Sequence, residues 1–325
     1  MLAIQIKDDD RQSLLWANCP DPECQPHEVL IKVHATAVNR ADLLQRRGLY
    51  PPPPGASAIL GLEAAGEIVS VGKFVPGWKN GDRVFCLLGG GGYAELVAVP
   101  QDLLLRIPSG WTYTQAAAIP EAYYTAFINL FLEAKLKSRE IVLVHAGASG
   151  VGTAAIQLAR QAGALVIVTA GTDEKIQQCL MLGANHGVNY KKDDFAERVH
   201  KITNQAGVNV ILDCVGASYL KKNLALLQTQ GRLVLIGLMG GAQAEVDLAL
   251  LLRKRLRVLG SVLRSRSVQE KILLTQHFRE KVMPELESGS LQPVIDKIFP
   301  VAQAEKAHDY VAANRNFGKV VLQVS

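Results

Sequence analysis

The sequence predicts an α/β protein in which a doubly wound parallel sheet is inserted into a β-rich domain. Three observations carry that prediction. The chain has 325 residues, so it is about twice the ~150 residues of a typical domain and two domains are expected. Its texture changes along its length: Gly and Pro turns punctuate short β-like runs early on, and from residue 141 aliphatic runs alternate with helical stretches. Hydrophobic residues make up 49% and aromatics only 6%, with 28 glycines, the aliphatic-and-glycine make-up of parallel sheets covered on both faces. The same composition, with 20% charged residues, excludes a disordered tail protein, a collagen-like fibre and a disulfide-stapled miniprotein.

Taken in order, the runs at 29–33, 67–71, 83–86 and 94–99 are separated by Pro76-Gly77 and Asn80-Gly81, with Pro108-Ser109-Gly110 after them, and fit a compact antiparallel β domain. Strand-like runs then follow at 141–144, 165–169, 187–189, 208–213, 232–236 and 258–262. Helical runs at 152–161, 174–182, 194–203 and 219–227 lie between them. Such alternation requires right-handed crossovers and a parallel sheet, and this number of strands makes a full dinucleotide-binding sheet. A long helix over about 268–287, a helix over 302–313 and a strand over 319–324 close the chain, and their texture assigns them to the first domain. The expected domains are therefore 1–122 with 264–325, and 123–263.

Lys and Arg number 35 against 30 Asp and Glu, a net charge of +5 that is too small to define a nucleic-acid binder. The cluster Arg253-Lys254-Arg255-Leu256-Arg257, with Arg264 and Arg266 beyond it, reads as solvated or subunit-edge residues, and no aromatic stripe accompanies it. A nucleic-acid partner is not expected. The five cysteines are odd in number and form no pair of CxxC motifs, which argues against a disulfide frame and a zinc ribbon. Lys7, Asp8, Asp9 and Asp10 stand where a secretory signal would need an apolar run. The stretch 141–159 carries no charge and has the length of a membrane span, but it contains His145, Ser149, three glycines and Gln157, and changes from β-branched to Ala-rich halfway. It reads as strand, glycine turn and helix. A soluble, cytoplasmic protein without a membrane partner is expected.

Gly147-Ala148-Ser149-Gly150-Val151-Gly152 follows a strand and opens a helix. A tight turn there brings backbone close to a pyrophosphate at a helix N-terminus, the arrangement of a Rossmann-type sheet, and makes Gly147, Ser149, Gly150 and Val151 candidate cofactor contacts. The match to G-x-G-x-x-G is imperfect, because Ser149 holds the second glycine position and Gly150 is additional. An NAD site wants an acid at the end of the next strand to bind the ribose 2′-hydroxyl. Here the chain reads Thr169-Ala170-Gly171-Thr172-Asp173-Glu174-Lys175, with Ala170 in that place. Gly171 allows close approach, and a cation at Lys175 opposes the helix dipole unless a phosphate lies near it. NADPH is therefore expected rather than NADH. Tyr190 either flanks the same phosphate or is an ordinary tyrosine.

Asn39-Arg40-Ala41-Asp42, Arg47-Gly48-Leu49-Tyr50-Pro51, Gly61-Leu62-Glu63-Ala64-Ala65-Gly66, His145-Ala146-Gly147-Ala148-Ser149-Gly150-Val151-Gly152 and Asn316-Phe317-Gly318-Lys319-Val320-Val321 together resemble the zinc-independent quinone oxidoreductases of the medium-chain dehydrogenase/reductase superfamily. Within that group the chain most resembles the p53-inducible type, through residues 52–56, Ile119-Pro120-Glu121-Ala122 and Gly237-Leu238-Met239-Gly240-Gly241. The resemblance covers essentially the whole chain. It implies a GroES-like catalytic β domain around the inserted Rossmann-type sheet, a homodimer, and NADPH-dependent reduction of a quinone or enone by hydride, or one-electron, transfer. The alternatives are a 2-alkenal or enoyl reductase using NADPH, and a low-turnover NADPH-binding regulatory protein.

The departures from the zinc alcohol dehydrogenases are as informative. Asn39 stands where those enzymes have a zinc-binding Cys, Gly61-Leu62-Glu63 replaces Gly-His-Glu, and Cys86 is the only cysteine between Gly81 and Glu95. The seven histidines form no set at ligand spacing with the cysteines, so no metal is expected. A site without zinc needs an acceptor that spreads negative charge by conjugation, as quinones and enones do. The resemblance implies that Asn39 hydrogen-bonds a carbonyl or the nicotinamide-side ribose, or else stabilises a turn. Tyr50 would stack on and polarise a quinone, or else pack before the proline run. Asp42 would orient the Asn39–Arg40 turn. Thr125, Leu238 and Met239 would line the nicotinamide, Val215 would contact the cofactor, and Lys319 would reach the cofactor or be a plain strand lysine.

Overall fold

The computed structural model describes residues 1–324, which divide into two units: Met1–Tyr124 with the chain from Arg264 onward, and the intervening Thr125–Leu263. The first unit opens on an antiparallel hairpin, β1 (Leu2–Ile6) and β2 (Leu14–Asn18). Next comes β3 (Glu28–Val38), in which Val29, Ile31, Val33 and Ala35 are buried while Lys32 between them is exposed, the period-two pattern of a strand with one face on a core. Asp42, in the first turn of helix α1 (Arg40–Arg46), accepts a hydrogen bond from the Asn39 backbone N–H and so anchors the helix start. Strands β4 (Glu63–Val71), β5 (Arg83–Leu87), β6 (Leu96–Pro100) and β7 (Leu104–Arg106) complete this stretch. Helices α2 (Tyr113–Ala117) and α3 (Pro120–Phe127) follow.

The second unit alternates strand and helix: β8 (Ile141–Val144), α4 (Gly150–Gln161), β9 (Leu165–Ala170), α5 (Asp173–Leu182), β10 (His186–Asn189), α6 (Phe195–Ile202), β11 (Val208–Asp213), α7 (Ala217–Leu226), β12 (Leu227–Leu235), α8 (Leu248–Lys254) and β13 (Arg257–Gly260). All six strands are parallel, in the order β10-β9-β8-β11-β12-β13. Val142, Leu143, Val144, Val210 and Ile211 are inaccessible to solvent because helices cover both faces, which is why these strands are continuous aliphatic runs in the sequence. Successive strands step away from β8 in one direction and, from β11, in the other. The order therefore reverses between β8 and β11, and ligands of such sheets bind beyond the carboxyl ends of the strands at that point.

The chain then returns to the first unit through α9 (Val268–Lys281) and α10 (Met283–Glu287). One helix over 268–287 is expected from sequence; it is broken at Val282 because Pro284 lacks the N–H that would continue the ladder and instead occupies the first turn of a new helix. Last come β14 (Ile295–Pro300), α11 (Ala304–Ala312) and β15 (Lys319–Gln323). The sheet of this unit runs β14-β15-β3-β4-β5-β7, with β6 also on β3. β15 and β4 both lie antiparallel to β3, with Val320 opposite Val38 and Ala65 opposite Ala35. The start of β15, the end of β3 and the start of β4 therefore meet at one end of the sheet.

Candidate functional site

Two groups of residues are candidates for the chemistry, one in each unit. In the second unit a cavity of about 200 Å³ lies at the carboxyl ends of the strands, lined by Ala146 after β8, Thr169 on β9, Tyr190 after β10, Val215 and Tyr219 after β11, and Met239 and Gly240 after β12. The turn into α4 is tight. Ala146 sits at φ 52°, a left-handed conformation that disfavours a residue with a Cβ by roughly 1 kcal/mol or more. It is held there by Ser149 N–H donating to its carbonyl (2.9 Å), while the Gly147 N–H donates to Thr169 O (2.9 Å). Ser149 caps α4, its hydroxyl accepting from the Gly152 N–H at 3.0 Å. A Cβ on Gly152 would stand 2.4 Å from Ala146 O and 2.6 Å from Gly147 O. The turn is thus a backbone cradle at the N-terminal end of a helix, and it fits a dinucleotide pyrophosphate. Gly150 and Val151 form the first turn of α4, and Thr125 in α3 gives its carbonyl to Asn129 Nδ2 (2.7 Å). Leu238 and Met239 are each 54% exposed, on a segment that bonds back to residues 214–217: Met239 N–H to Cys214 O (3.2 Å) and Gly240 N–H to Val215 O (2.7 Å).

The end of β9 has a distinct charge environment. A Cβ on Gly171 would lie 2.8 Å from the Tyr190 hydroxyl and 3.4 Å from Lys191 Cε, so Gly171, Tyr190 and Lys191 are neighbours. Lys175 lies in the first turn of α5, whose cap Thr172 accepts from its backbone N–H (3.3 Å). Asp173, the nearest acid by sequence, is bonded by Asn189 Nδ2 (2.7 Å) and ion-paired to Lys192, which hold its carboxyl below the usual range. Its oxygens are thereby engaged. Lys191 and Lys192 are not singled out by sequence reasoning; the signal lies in their position directly after Tyr190 at the end of β10, next to β9 in the sheet.

In the first unit, the sheet end described above gathers Asn39, Glu63 and Lys319. Lys319 Nζ donates to Glu63 Oε1 (2.7 Å), Asn39 Oδ1 (2.6 Å) and Val38 O (3.4 Å), which uses its three protons. Asn39 Nδ2 donates to Glu63 Oε1 (2.7 Å) and Ala37 O (3.3 Å), and the Glu121 backbone N–H donates to Glu63 Oε2 (2.9 Å). With an ammonium on one side and a carboxylate on the other, the Asn39 amide has one allowed orientation. Asp42 is inaccessible and accepts from Asn39 N–H, Gly61 N–H (3.2 Å) and the Tyr93 hydroxyl (3.2 Å); burial pushes its carboxyl up to about 6. Glu63 already holds Lys319 and Asn39, and Leu62 offers no donor, so these residues do not fit a zinc ion. Among the described residues no group of three or more His, Cys, Asp and Glu could hold a metal.

Arg264 corrects its reading as a solvated or edge residue: it is 3% exposed. Its guanidinium donates to Gly89 O (2.9 Å), Tyr50 O (3.1 Å) and Gln45 Oε1 (2.7 Å) and sits 5.3 Å from the centre of the Tyr50 ring. Charge patterning missed it because a buried, hydrogen-bonded Arg has the same local sequence as a solvated one. Glu121, partly buried in the first turn of α3, interacts electrostatically with Tyr50. Burial and then the Glu63 charge push its carboxyl up to about 8, opposed by Lys319 and Lys271.

A parallel sheet of this order with a glycine turn at its switch point is the arrangement of a dinucleotide-binding protein. Residues 25–109 match the alcohol dehydrogenase GroES-like domain, and residues 150–278 match the zinc-binding dehydrogenase family. The quinone oxidoreductase of Rattus norvegicus is 34% identical over 303 residues, covering 93% of this chain and 90% of that protein. Among solved structures, Escherichia coli quinone oxidoreductase complexed with NADPH superposes with a TM-score of 0.89 at 29% identity over 100% of both chains. CurK enoyl reductase does so with 0.88 at 29% identity, over 100% of this chain and 99% of that one. The chain belongs to the quinone oxidoreductase family of the medium-chain dehydrogenase/reductase superfamily and is an oxidoreductase with a nicotinamide cofactor.

Proposed function

We propose that this chain reduces quinones with NADPH and without a metal. The observation that carries the cofactor choice is the end of β9, where Gly171 is ringed by Tyr190 and Lys191, with Lys175 in the next helical turn and Asp173, the first of the two acids there, already engaged by Asn189 and Lys192. Such a setting, with Ala170 where an acid would bind a ribose 2′-hydroxyl, suits a 2′-phosphate. Replacing Lys175 with Ala is expected to weaken NADPH about 10- to 100-fold and NADH by less than about threefold, measured by fluorescence titration of both. Equal losses would remove the phosphate assignment.

Bound NADPH supplies a hydride from its nicotinamide ring, and the chain's own residues provide position and protons. Gly147, Ser149, Gly150 and Val151 would hold the pyrophosphate, with Thr125, Val215, Leu238 and Met239 on the nicotinamide side. Asn39 has no free donor for a substrate carbonyl, because both Nδ2 protons are bonded within the cluster, so its part is to hold the start of α1 and the Glu63–Lys319 pair. Lys319, its protons committed, acts through Asn39 rather than on the cofactor. Tyr50, its ring held by Arg264, would stack on the quinone and polarise its oxygen.

Glu121 is the acid we assign to protonate the reduced quinone, because it stays neutral until about pH 8 beside Tyr50. As an acid whose pKa is raised, it loses its proton as pH rises. kcat is therefore expected to fall above about pH 8, and that limb should vanish in Glu121→Gln; a limb unchanged in the variant rejects the assignment.

The superposition on an enoyl reductase favours a second reading, reduction of a conjugated C=C bond. NADPH oxidation measured with 1,2- and 1,4-quinones, alkenals and enoyl thioesters, with and without chelator, decides between the two. Turnover confined to enones selects the second, activity lost with chelator sinks the metal-free reading, and binding without turnover selects a regulatory role. No disulfide joins the five cysteines among the described residues, consistent with a reducing cytoplasm. No helix of the described residues is long and apolar enough to cross a membrane. The free edge of β13, with Val258 exposed, is the surface through which we propose a homodimer.

A further inference from the structure

We infer that His145 is a positioning residue of the cavity beyond β8 and β11, acting through Asn223 and Asp213 on the 214–217 segment. The inference rests on the nucleotide-binding reading of that cavity. His145 follows β8 directly, is 3% exposed, and meets the rings of Phe195 and Tyr219 edge-on at 5.0 and 4.9 Å. Both its nitrogens are paired, Nδ1 with Thr169 Oγ1 (3.0 Å) and Nε2 with Asn223 Oδ1 (2.8 Å).

The direction of each bond follows from the far end. Asp213 is inaccessible, and its carboxylate meets three N–H donors: Val215 (2.6 Å), Gly216 (3.2 Å) and Asn223 Nδ2 (3.0 Å). A carboxylate only accepts, so Asn223 turns its NH2 towards Asp213 and its oxygen towards His145. An amide oxygen also only accepts, so His145 carries its proton on Nε2. Burial holds the ring neutral, Nδ1 is bare, and Thr169 donates to it. A single tautomer thus links the ends of β9, β8 and β11.

This chain ends on a wall of the cavity. The two peptide N–H groups that Asp213 binds belong to the segment that bonds to 238–241, with Gly240 N–H on Val215 O (2.7 Å) and Ala217 N–H on Gly241 O (3.0 Å). Removing the imidazole leaves Asn223 Oδ1 unsatisfied in the interior and frees Asn223 to turn away from Asp213, loosening Val215 and Met239 together.

The test uses the full chain. Ring 15N spectra at pH 7 should show His145 neutral with the proton on Nε2. An Nδ1–H tautomer or an imidazolium overturns the inference, and this measurement needs no variant to fold. His145→Leu should weaken NADPH and NADH alike by about tenfold, whereas His145→Gln, whose Nε2 keeps the donor to Asn223, should stay within about threefold of the parent. Equal losses in the two variants, or none in His145→Leu, also overturn it. A parent chain that binds neither dinucleotide, while showing the derived tautomer, overturns the nucleotide reading instead and removes the inferred role with it.

Discussion

Lys319→Met is expected to lower the thermal midpoint of the first unit by about 10 °C, the largest stability loss of any single substitution at this sheet end. Glu63 is completely buried and Lys319 is 4% exposed at the side chain, with 2.7 Å between Nζ and Oε1. Removing one member of such a pair strands the other charge and costs about 3–5 kcal/mol, and a domain of this size shifts by roughly 2–4 °C per kcal/mol. The remaining donors to Glu63, Asn39 Nδ2 and the Glu121 N–H, cannot replace an ammonium. Asn39 also loses the bond that fixes its amide, so activity should fall with stability. The double variant Glu63→Gln with Lys319→Met removes both charges and should recover most of the midpoint, because a neutral buried pair carries no stranded charge. Calorimetry of the two variants checks this. A single variant as stable as the parent would mean that the pair is not buried as described.

Much of the second unit was legible in the sequence for a physical reason. Strands covered on both faces are uninterrupted aliphatic runs, as at Ile141–Val144 and Val208–Asp213, and the glycine turn marks the first crossover. The short strands β1, β2 and β7 were not anticipated. β1 runs from two buried residues to two exposed ones and β2 is half-exposed or exposed throughout, so neither shows a clean alternation, and β7 has only three residues. Nor was the Asn39–Glu63–Lys319 cluster legible as a cluster. Lys319 and Glu63 are 256 residues apart, and only the antiparallel register of β15 and β4 on β3 brings them together. Arg264 and Glu121 belong to the same class, since burial sets their state and no local pattern announces it. The expectation of no zinc rests on residue types alone, because Asn39 and Leu62 are not zinc ligands whatever their surroundings.

The glycine turn yields the largest expected effect on binding. Gly152→Ala should weaken NADPH and NADH at least about 100-fold, since several backbone–pyrophosphate bonds depend on one loop geometry. The added Cβ would meet Ala146 O at 2.4 Å and Gly147 C and O at 2.6 Å, all backbone atoms that no rotamer can move aside. The turn must open, and with it goes the Ser149 cap on the Gly152 N–H and the left-handed setting of Ala146. Gly147→Ala is the informative comparison. Its Cβ would meet Val168 Cβ at 2.7 Å, an atom fixed to β9 that no rotamer moves, and Cys179 Sγ at 3.3 Å. The clash is with the neighbouring strand and not with the carbonyls of the turn itself, so a loss of about tenfold is expected. Both variants should keep the far-ultraviolet dichroism of the parent, because each clash is local. Fluorescence titration with each dinucleotide gives the ranking. If Gly152→Ala bound both within about threefold of the parent, the turn would not be the pyrophosphate cradle, and the cofactor would have to be sought elsewhere along the strand ends.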